Sequence, residues 1–250
     1  MFIDAHAHIY ESDVKAVLAR AKEALVDFVI CPASDFESIN KTLEIAEENP
    51  EVFACIGFHP QDAEQYLNGG REFLIEKAAN KKVVAIGEIG LDYHFGGEDR
   101  NLQKQIFDEQ IKLASSLNLP IVVHIRDAME DALQILQNNA EILKGGVVHC
   151  FSGEGQDAQK IMALGLDFTV GGVLTFKNAA HLREVVAGIP LDRLMLETDT
   201  PYLAPEPYRG KVNEPKNVVL VAQKLAEIKG ENIENIAKIT SKNVKRVFKI

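Results

Sequence analysis

The stretch PIVVHIRDAMEDALQILQNNAEILKGGVVHC (120–150) decides how the chain folds. It opens on PIVVHI (120–125), an apolar, β-branched run of strand length. Asp127 followed by Glu130 has the spacing of a capping box, so a helix is expected to begin there. A second apolar run, GGVVHC (145–150), closes the stretch. A strand, a helix and a second strand form a βαβ unit, the connection that joins parallel strands. Each run also carries a histidine near its C-terminal end, His124 and His149.

The same alternation extends in both directions. The further runs are FIDAH (2–6), DFVICP (27–32), VFACIGF (52–58), KVVAIGE (82–88), LDFTVG (166–171) and RLMLET (193–198), which makes eight in all. They are apolar on both faces, as strands covered by helices must be. Amphipathic segments lie between them. Val14, Val17, Leu18, Ala21 and Leu25 recur at helical spacing, as do Leu102, Ile106, Leu113 and Leu117, and Ser34 with Glu37 suggests another capping box. Eight βα units predict an α/β fold, a single (β/α)₈ TIM-type barrel spanning residues 1–250 as one domain. An open doubly wound sheet is the competing architecture, but no GxGxxG follows the first strand. The Pro-rich segment TPYLAPEPYRGKVNEP (200–215) is expected to be a long functional loop, and 231–248 a final helix that closes the barrel.

Composition narrows the class. No stretch approaches the ~20 apolar residues that span a bilayer. The opening MFIDAHAHIY lacks the basic start of a secretory signal, so a cytoplasmic protein is expected. Cys31, Cys55 and Cys150 are too scattered for a disulfide framework or a CxxC site. Cys31 and Cys55 should be buried, whereas Cys150 could pack or approach a site at His149. A net charge of −10 argues against broad nonspecific binding to nucleic acid. Residues 209–250 nevertheless hold ten Lys/Arg against four Glu, a mildly basic tail that is either a solvated helix face or a polyanion contact.

The polar residues at the strand ends carry the chemistry. His6 and His8 are two apart, so in an extended chain both point the same way. Glu88, His124, His149 and Asp199 end four further runs. In a parallel barrel these ends share one mouth. Four imidazoles and two carboxylates crowded there would be costly without a cation. Six ligands exceed a closed zinc site, so two divalent ions are expected (Mg²⁺, Mn²⁺, Zn²⁺ or Fe²⁺). His6, His8 and Asp199 could hold one, His124 and His149 the other, with Glu88 bridging. Two such ions would activate water, clamp a phosphoryl oxygen and make the mouth of an acidic protein locally cationic.

Other residues have two readings each. His59 could contact phosphate, aid proton transfer or serve a structural helix start. Asp92 and Tyr93 could line the cleft. Arg126, Arg209 and Lys211 are candidate phosphate contacts or solvated charges. Glu197 could support a ligand from behind. Phe151 could stack on a base or pack. Asn213 is expected to be structural, and His94 and His181 to lie on the surface.

Seven motifs in order give the chain a resemblance. DAHAHI (4–9), IGFHP (56–60), IGEIGLDYH (86–94), PIVVHIRDA (120–128), VVHCFSG (147–153), LETDTPYLAP (196–205) and RGKVNEP (209–215) resemble the TatD family of metal-dependent deoxyribonucleases, within the amidohydrolase-like barrels. Ala7 stands where that family commonly has Cys. The resemblance implies that His6, His8, Glu88, His124, His149 and Asp199 are metal ligands and that Asp199 also takes the proton of the attacking water. It implies a deoxyribonuclease of the 3′–5′ exonuclease type, acting on single-stranded DNA or 3′ ends as substrate partner. A second reading is a metal-dependent ester or amide hydrolase, such as a deacylase of misacylated tRNA. Glu88 stands where many such enzymes place a bridging modified lysine, which favours the nuclease. A non-enzymatic scaffold should show decayed ligands, and none is decayed. A monomer is the default expectation for the oligomeric state.

Overall fold

A computed structural model describes residues 1–94 and 99–250. Eight strands form one parallel sheet in sequence order: β1 (Phe2–Asp4), β2 (Val26–Ala33), β3 (Val52–Ile56), β4 (Val83–Asp92), β5 (Ile121–Arg126), β6 (Gly146–Val148), β7 (Asp167–Val170) and β8 (Leu194–Leu196). The edge strands meet through backbone bonds from Ala5 N to Leu196 O (2.9 Å), Asp199 N to His6 O (2.9 Å) and His8 N to Thr200 O (2.8 Å). The sheet is thereby a (β/α)₈ barrel, as the eight runs predict.

Around it run α1 (Val14–Glu23), α2 (Phe36–Glu48), a single turn α3 (Ala63–Gln65), α4 (Arg71–Lys77), α5 (Arg100–Ser116), α6 (Met129–Asn138), α7 (Gly155–Ala163), α8 (Ala180–Gly188), α9 (Val218–Lys229) and α10 (Ile233–Phe248). Strand Val, Ile and Phe residues and the inward stripes of these helices fill the layer between sheet and helices. A second apolar cluster fills the barrel's lower interior, where Val244, Val247 and Phe248 of α10 meet Ile3, Ile30, Val84, Val122, Val147 and Met195. The final helix therefore packs across the floor, as expected for a closing element. No helix among the described residues is long and apolar enough to cross a membrane.

Several local expectations need correction. The cap of α2 is Asp35, not Ser34: its carboxylate accepts from Ser38 N, and the Ser38 hydroxyl accepts from Asp35 N. Asp127 caps nothing, because its φ of 53° turns it out of the geometry that a capping box requires. Leu25 leaves the stripe of α1, sitting exposed beyond the helix end with φ 62°. The closing helix begins at Ile233, after Asn232 has accepted Asn235 N as cap. β1, β6 and β8 end before their histidines and aspartate. β4 runs four residues past Glu88, to Asp92.

Candidate metal centre

Glu88 lies at the middle of the mouth. Its Oε2 is 3.4 Å from His6 Nε2 and 3.7 Å from His8 Nε2, and its Oε1 is 2.8 Å from His124 Nδ1 and 2.7 Å from His149 Nε2. Asp199 Oδ1 completes the first side, 3.8 Å from His6 Nε2 and 3.6 Å from His8 Nε2. The two N-terminal imidazoles converge as their spacing predicts, with Nε2 atoms 3.3 Å apart. His6 and His149 stack at 4.0 Å, so the two sides share a wall. All six expected ligands are brought together. Donor atoms within 4.8 Å of one another form the groups His6–His8–Glu88, Glu88–His124–His149 and His6–His149–Asp199. Glu88 thus offers one oxygen to each side, as a bridging carboxylate would.

Neighbouring elements hold these side chains in place. Asp4, wholly buried, accepts from Thr198 N (2.9 Å) and the Thr198 hydroxyl (2.6 Å), which ties the strand of His6 to the strand leading to Asp199. Burial pushes the Asp4 carboxyl well above the usual range, and the bonds from Thr198 and the His6 N–H oppose that rise. On α5, Gln103 and Gln110 lie seven residues apart on one helical face. Gln110 bonds both Phe58 N and Phe58 O at 2.9 Å, and Gln103 bonds Asp92 N and O at 2.9 and 3.0 Å. These two buried amides fix the backbone beside His59 and at Asp92. Gly90 lets β4 reach β5: with φ 147°, an added Cβ would fall 1.9 Å from His124 O. Asp199 itself has φ 57°, a left-handed conformation that side-chain-bearing residues avoid, and strain of this kind gathers at functional sites.

Hydrogen bonds constrain the rings of His124 and His59 differently. His124 lies between two carboxylates, with Nε2 3.1 Å from Asp92 Oδ2 and Nδ1 2.8 Å from Glu88 Oε1. Asp92 therefore braces the His124 ring from the side away from Glu88. Glu88 and Asp92 share a strand face at i and i+4, a signal available to anyone reading β4 through to its end. His59 lies beyond β3 and caps the 3₁₀ turn Pro60–Asp62, its Nδ1 accepting Gln61 N at 3.2 Å. Its proton must then sit on Nε2. His59, Asp92 and His124 form a further group of donor atoms within 4.8 Å of one another.

The electrostatics follow from this crowding. Burial alone would raise Glu88, but the charge of His149 and bonds from His124, His149 and His6 hold it well below the usual carboxylate range. Burial would lower His149, yet Glu88 and Glu197 raise it well above the usual imidazole value. Asp199 is likewise lowered against burial, by His8, His6 and His149. Without a cation the six groups must share protons across nitrogen pairs 3.3 and 3.1 Å apart. Divalent ions would replace those protons, and a set of imidazoles and carboxylates suits them.

The mouth opens into a cleft of about 710 Å³. Arg126 lines it with His59, Asp92, Cys150 and Phe151; Tyr202 and Leu203 of the 196–205 motif also line it, as do Tyr10, Ser34 and Gln61, which lie outside the motifs. Phe151 is packed on Phe168, so it is a fixed wall. Tyr93 is not brought to the cleft: its hydroxyl donates to Asp131 at 2.8 Å beneath Arg100. Arg209 lies over the Phe176 ring at 4.2 Å and Lys211 over Tyr208, and neither lines the cleft. Asn213 is structural, donating to Thr198 O and Tyr202 O. His94 and His181 pair with Asp127 and Glu154 at the surface, and Cys31 and Cys55 are buried.

Comparison with known proteins places this arrangement. The model of a family described as TatD related DNase matches residues 3–249. An uncharacterized metal-dependent hydrolase of Bacillus subtilis, YabD, is 43% identical over 254 residues, with 100% of both chains covered. An uncharacterized metal-dependent hydrolase of Escherichia coli, YcfH, is 38% identical over 259 residues, covering 99% of this chain and 96% of its own. The crystal structure of YjjV, a TatD homolog from Escherichia coli, superposes with a TM-score of 0.94 at 33% identity, covering 100% of this chain and 98% of the other.

Proposed function

The chain belongs to the TatD-related DNase family, and from that premise we propose that it is a metal-dependent hydrolase of phosphodiester bonds that trims DNA from single-stranded 3′ ends. The observation that carries this reading is Glu88, which turns one oxygen to His6 and His8 and the other to His124 and His149. His6, His8, Glu88, His124, His149 and Asp199 would hold two divalent ions, Mg²⁺, Mn²⁺ or Zn²⁺. Bound there, such ions supply Lewis-acid charge that makes water acidic near pH 7 and neutralises charge developing on phosphoryl oxygens.

The protein's own groups do the rest. Asp199, held ionised at the mouth, accepts the proton of the attacking water at its carboxylate. His59 presents an Nε2–H that can only donate, so it hydrogen-bonds a phosphoryl or leaving oxygen rather than removing a proton. Arg126, on the cleft wall, contacts the phosphate by charge. Asp92 keeps His124 Nδ1 turned inward.

The test is digestion of 5′-labelled single-stranded DNA by purified protein reconstituted with Mg²⁺, Mn²⁺ or Zn²⁺, beside acyl-ester substrates. A ladder shrinking from the 3′ end and abolished by chelation is expected. Ester hydrolysis with intact DNA would overturn the nuclease reading in favour of a carbonyl hydrolase.

A further inference from the structure

Two buried atoms behind the ligands have no hydrogen-bond partner among the described residues: His149 Nδ1 and Glu197 Oε1. They belong to neighbours, since Glu197 Oε2 lies 3.8 Å from His149 Nδ1 and Glu197 is fully buried. Leaving both unmet would cost each its desolvation penalty. The other end of the carboxylate is already anchored. The Thr169 hydroxyl donates to Glu197 Oε2 at 2.5 Å. Having given its proton away, Thr169 Oγ1 accepts Cys150 N at 3.0 Å. Cys150 directly follows His149 and has φ 44°, a conformation that needs outside support in a residue with a side chain. Gly171 leaves room for the carboxylate, because a Cβ there would press on Glu197 Cγ at 3.3 Å. One chain of contacts thus crosses from Glu197, just past β8, through Thr169 on β7 to Cys150, two residues past β6, and both of its ends reach His149.

We infer that Glu197, anchored by Thr169, is a positioning residue that receives the Nδ1 proton of His149 and so fixes the tautomer whose bare Nε2 faces Glu88. Thr169 supports the same histidine a second time, through the Cys150 peptide. The inference rests on reading His149 as a metal ligand. It makes His149 the counterpart of His124, whose outer nitrogen faces Asp92, so that each of the two imidazoles on Glu88 Oε1 has its own carboxylate behind it. Outer carboxylates of this kind hold ring orientation and ligand basicity, and losing one costs about 10–100-fold in metal affinity.

The experiment uses the full chain, ¹⁵N-labelled at histidine and loaded with zinc. Long-range ¹H–¹⁵N spectra report the tautomer of each ring, and chelator competition reports zinc affinity. Wild type should show His149 protonated at Nδ1. Glu197→Met, which keeps the volume but removes both acceptors, and Thr169→Val should each weaken zinc about 10–100-fold and blur the His149 ring signals between tautomers. Thr169→Ser, which keeps the hydroxyl, should stay near wild type. If Glu197→Met fails to fold, Thr169→Val and Thr169→Ser carry the test. Wild-type zinc affinity with a sharp Nδ1–H signal in Thr169→Val would overturn the inference, as would equal losses in the valine and serine variants. Unchanged zinc affinity in His149→Gln would instead remove the ligand assignment, and the inference with it.

Discussion

The two ends of the barrel are built from the same strands and spend their interiors in opposite ways. At the floor, Val122, Val147 and Met195 face Val244, Val247 and Phe248 in an apolar plug. A few residues further along the same strands stand His124, His149 and Asp199, with Glu88 and the N-terminal imidazoles. One end removes hydrocarbon from water. The other gathers buried rings and carboxylates that would be costly unless paired or bound to cations. The difference teaches that folding strength sits at the floor, which leaves the mouth free to carry groups that destabilise it, the division of labour expected of this barrel.

That contrast can be broken at either end. The largest effect should come from Asp199→Asn, which lowers kcat about 1,000-fold by removing a proton acceptor, with substrate Kd and the Tm of the metal-free protein nearly unchanged. A matching fall in Tm would tie the mouth to folding after all. Next, Phe248→Ala at the floor should cost about 3 kcal/mol in urea unfolding while leaving kcat per folded molecule intact. Metal should then lend the mouth stability that its side chains lack. At a free concentration of 100 Kd the gain is about 2.7 kcal/mol, lost on chelation and much reduced in Glu88→Gln, read by thermal melting.

The smallest effect concerns pH. Burial, aided by the charge of His124, pushes His59 down to about 3 from 6.5. The unfolded chain therefore binds a proton that the folded one refuses between those values. The contribution of His59 to stability is complete above pH 6.5 and declines as pH falls toward 3, by at most about 1.4 kcal/mol per pH unit. His59→Gln removes that component, so its stability relative to wild type should rise by about that amount between pH 7 and pH 5.5. Parallel pH curves for the two proteins would show that His59 is hydrated rather than sequestered.

Strand-end histidines were legible because a lone polar ring closing an apolar run is conspicuous, and eight such runs admit few architectures. Asp92 was harder to read. Gly90 interrupts the pattern that would have carried the strand from Glu88 to Asp92, and its role depends on a close approach of β4 to β5 that no local spacing records. Gln103 and Gln110 look like ordinary polar positions on a helix, and only burial reveals them as backbone clamps. Asp127 with Glu130 has the spacing of a cap but not the backbone angle. Tyr93 and Arg209 sit within motifs, yet Asp131 and Phe176, distant in sequence, draw them aside. What escaped the sequence was set by contacts between segments, whereas what it displayed was set by periodicity along one.

The plug formed by α10 has one more consequence. With Phe248 and its neighbours filling the far end, substrate and product must use the same door. A departing product occupies the ground that the next substrate needs, so product should inhibit competitively, and turnover at high product should be governed by how fast that doorway clears.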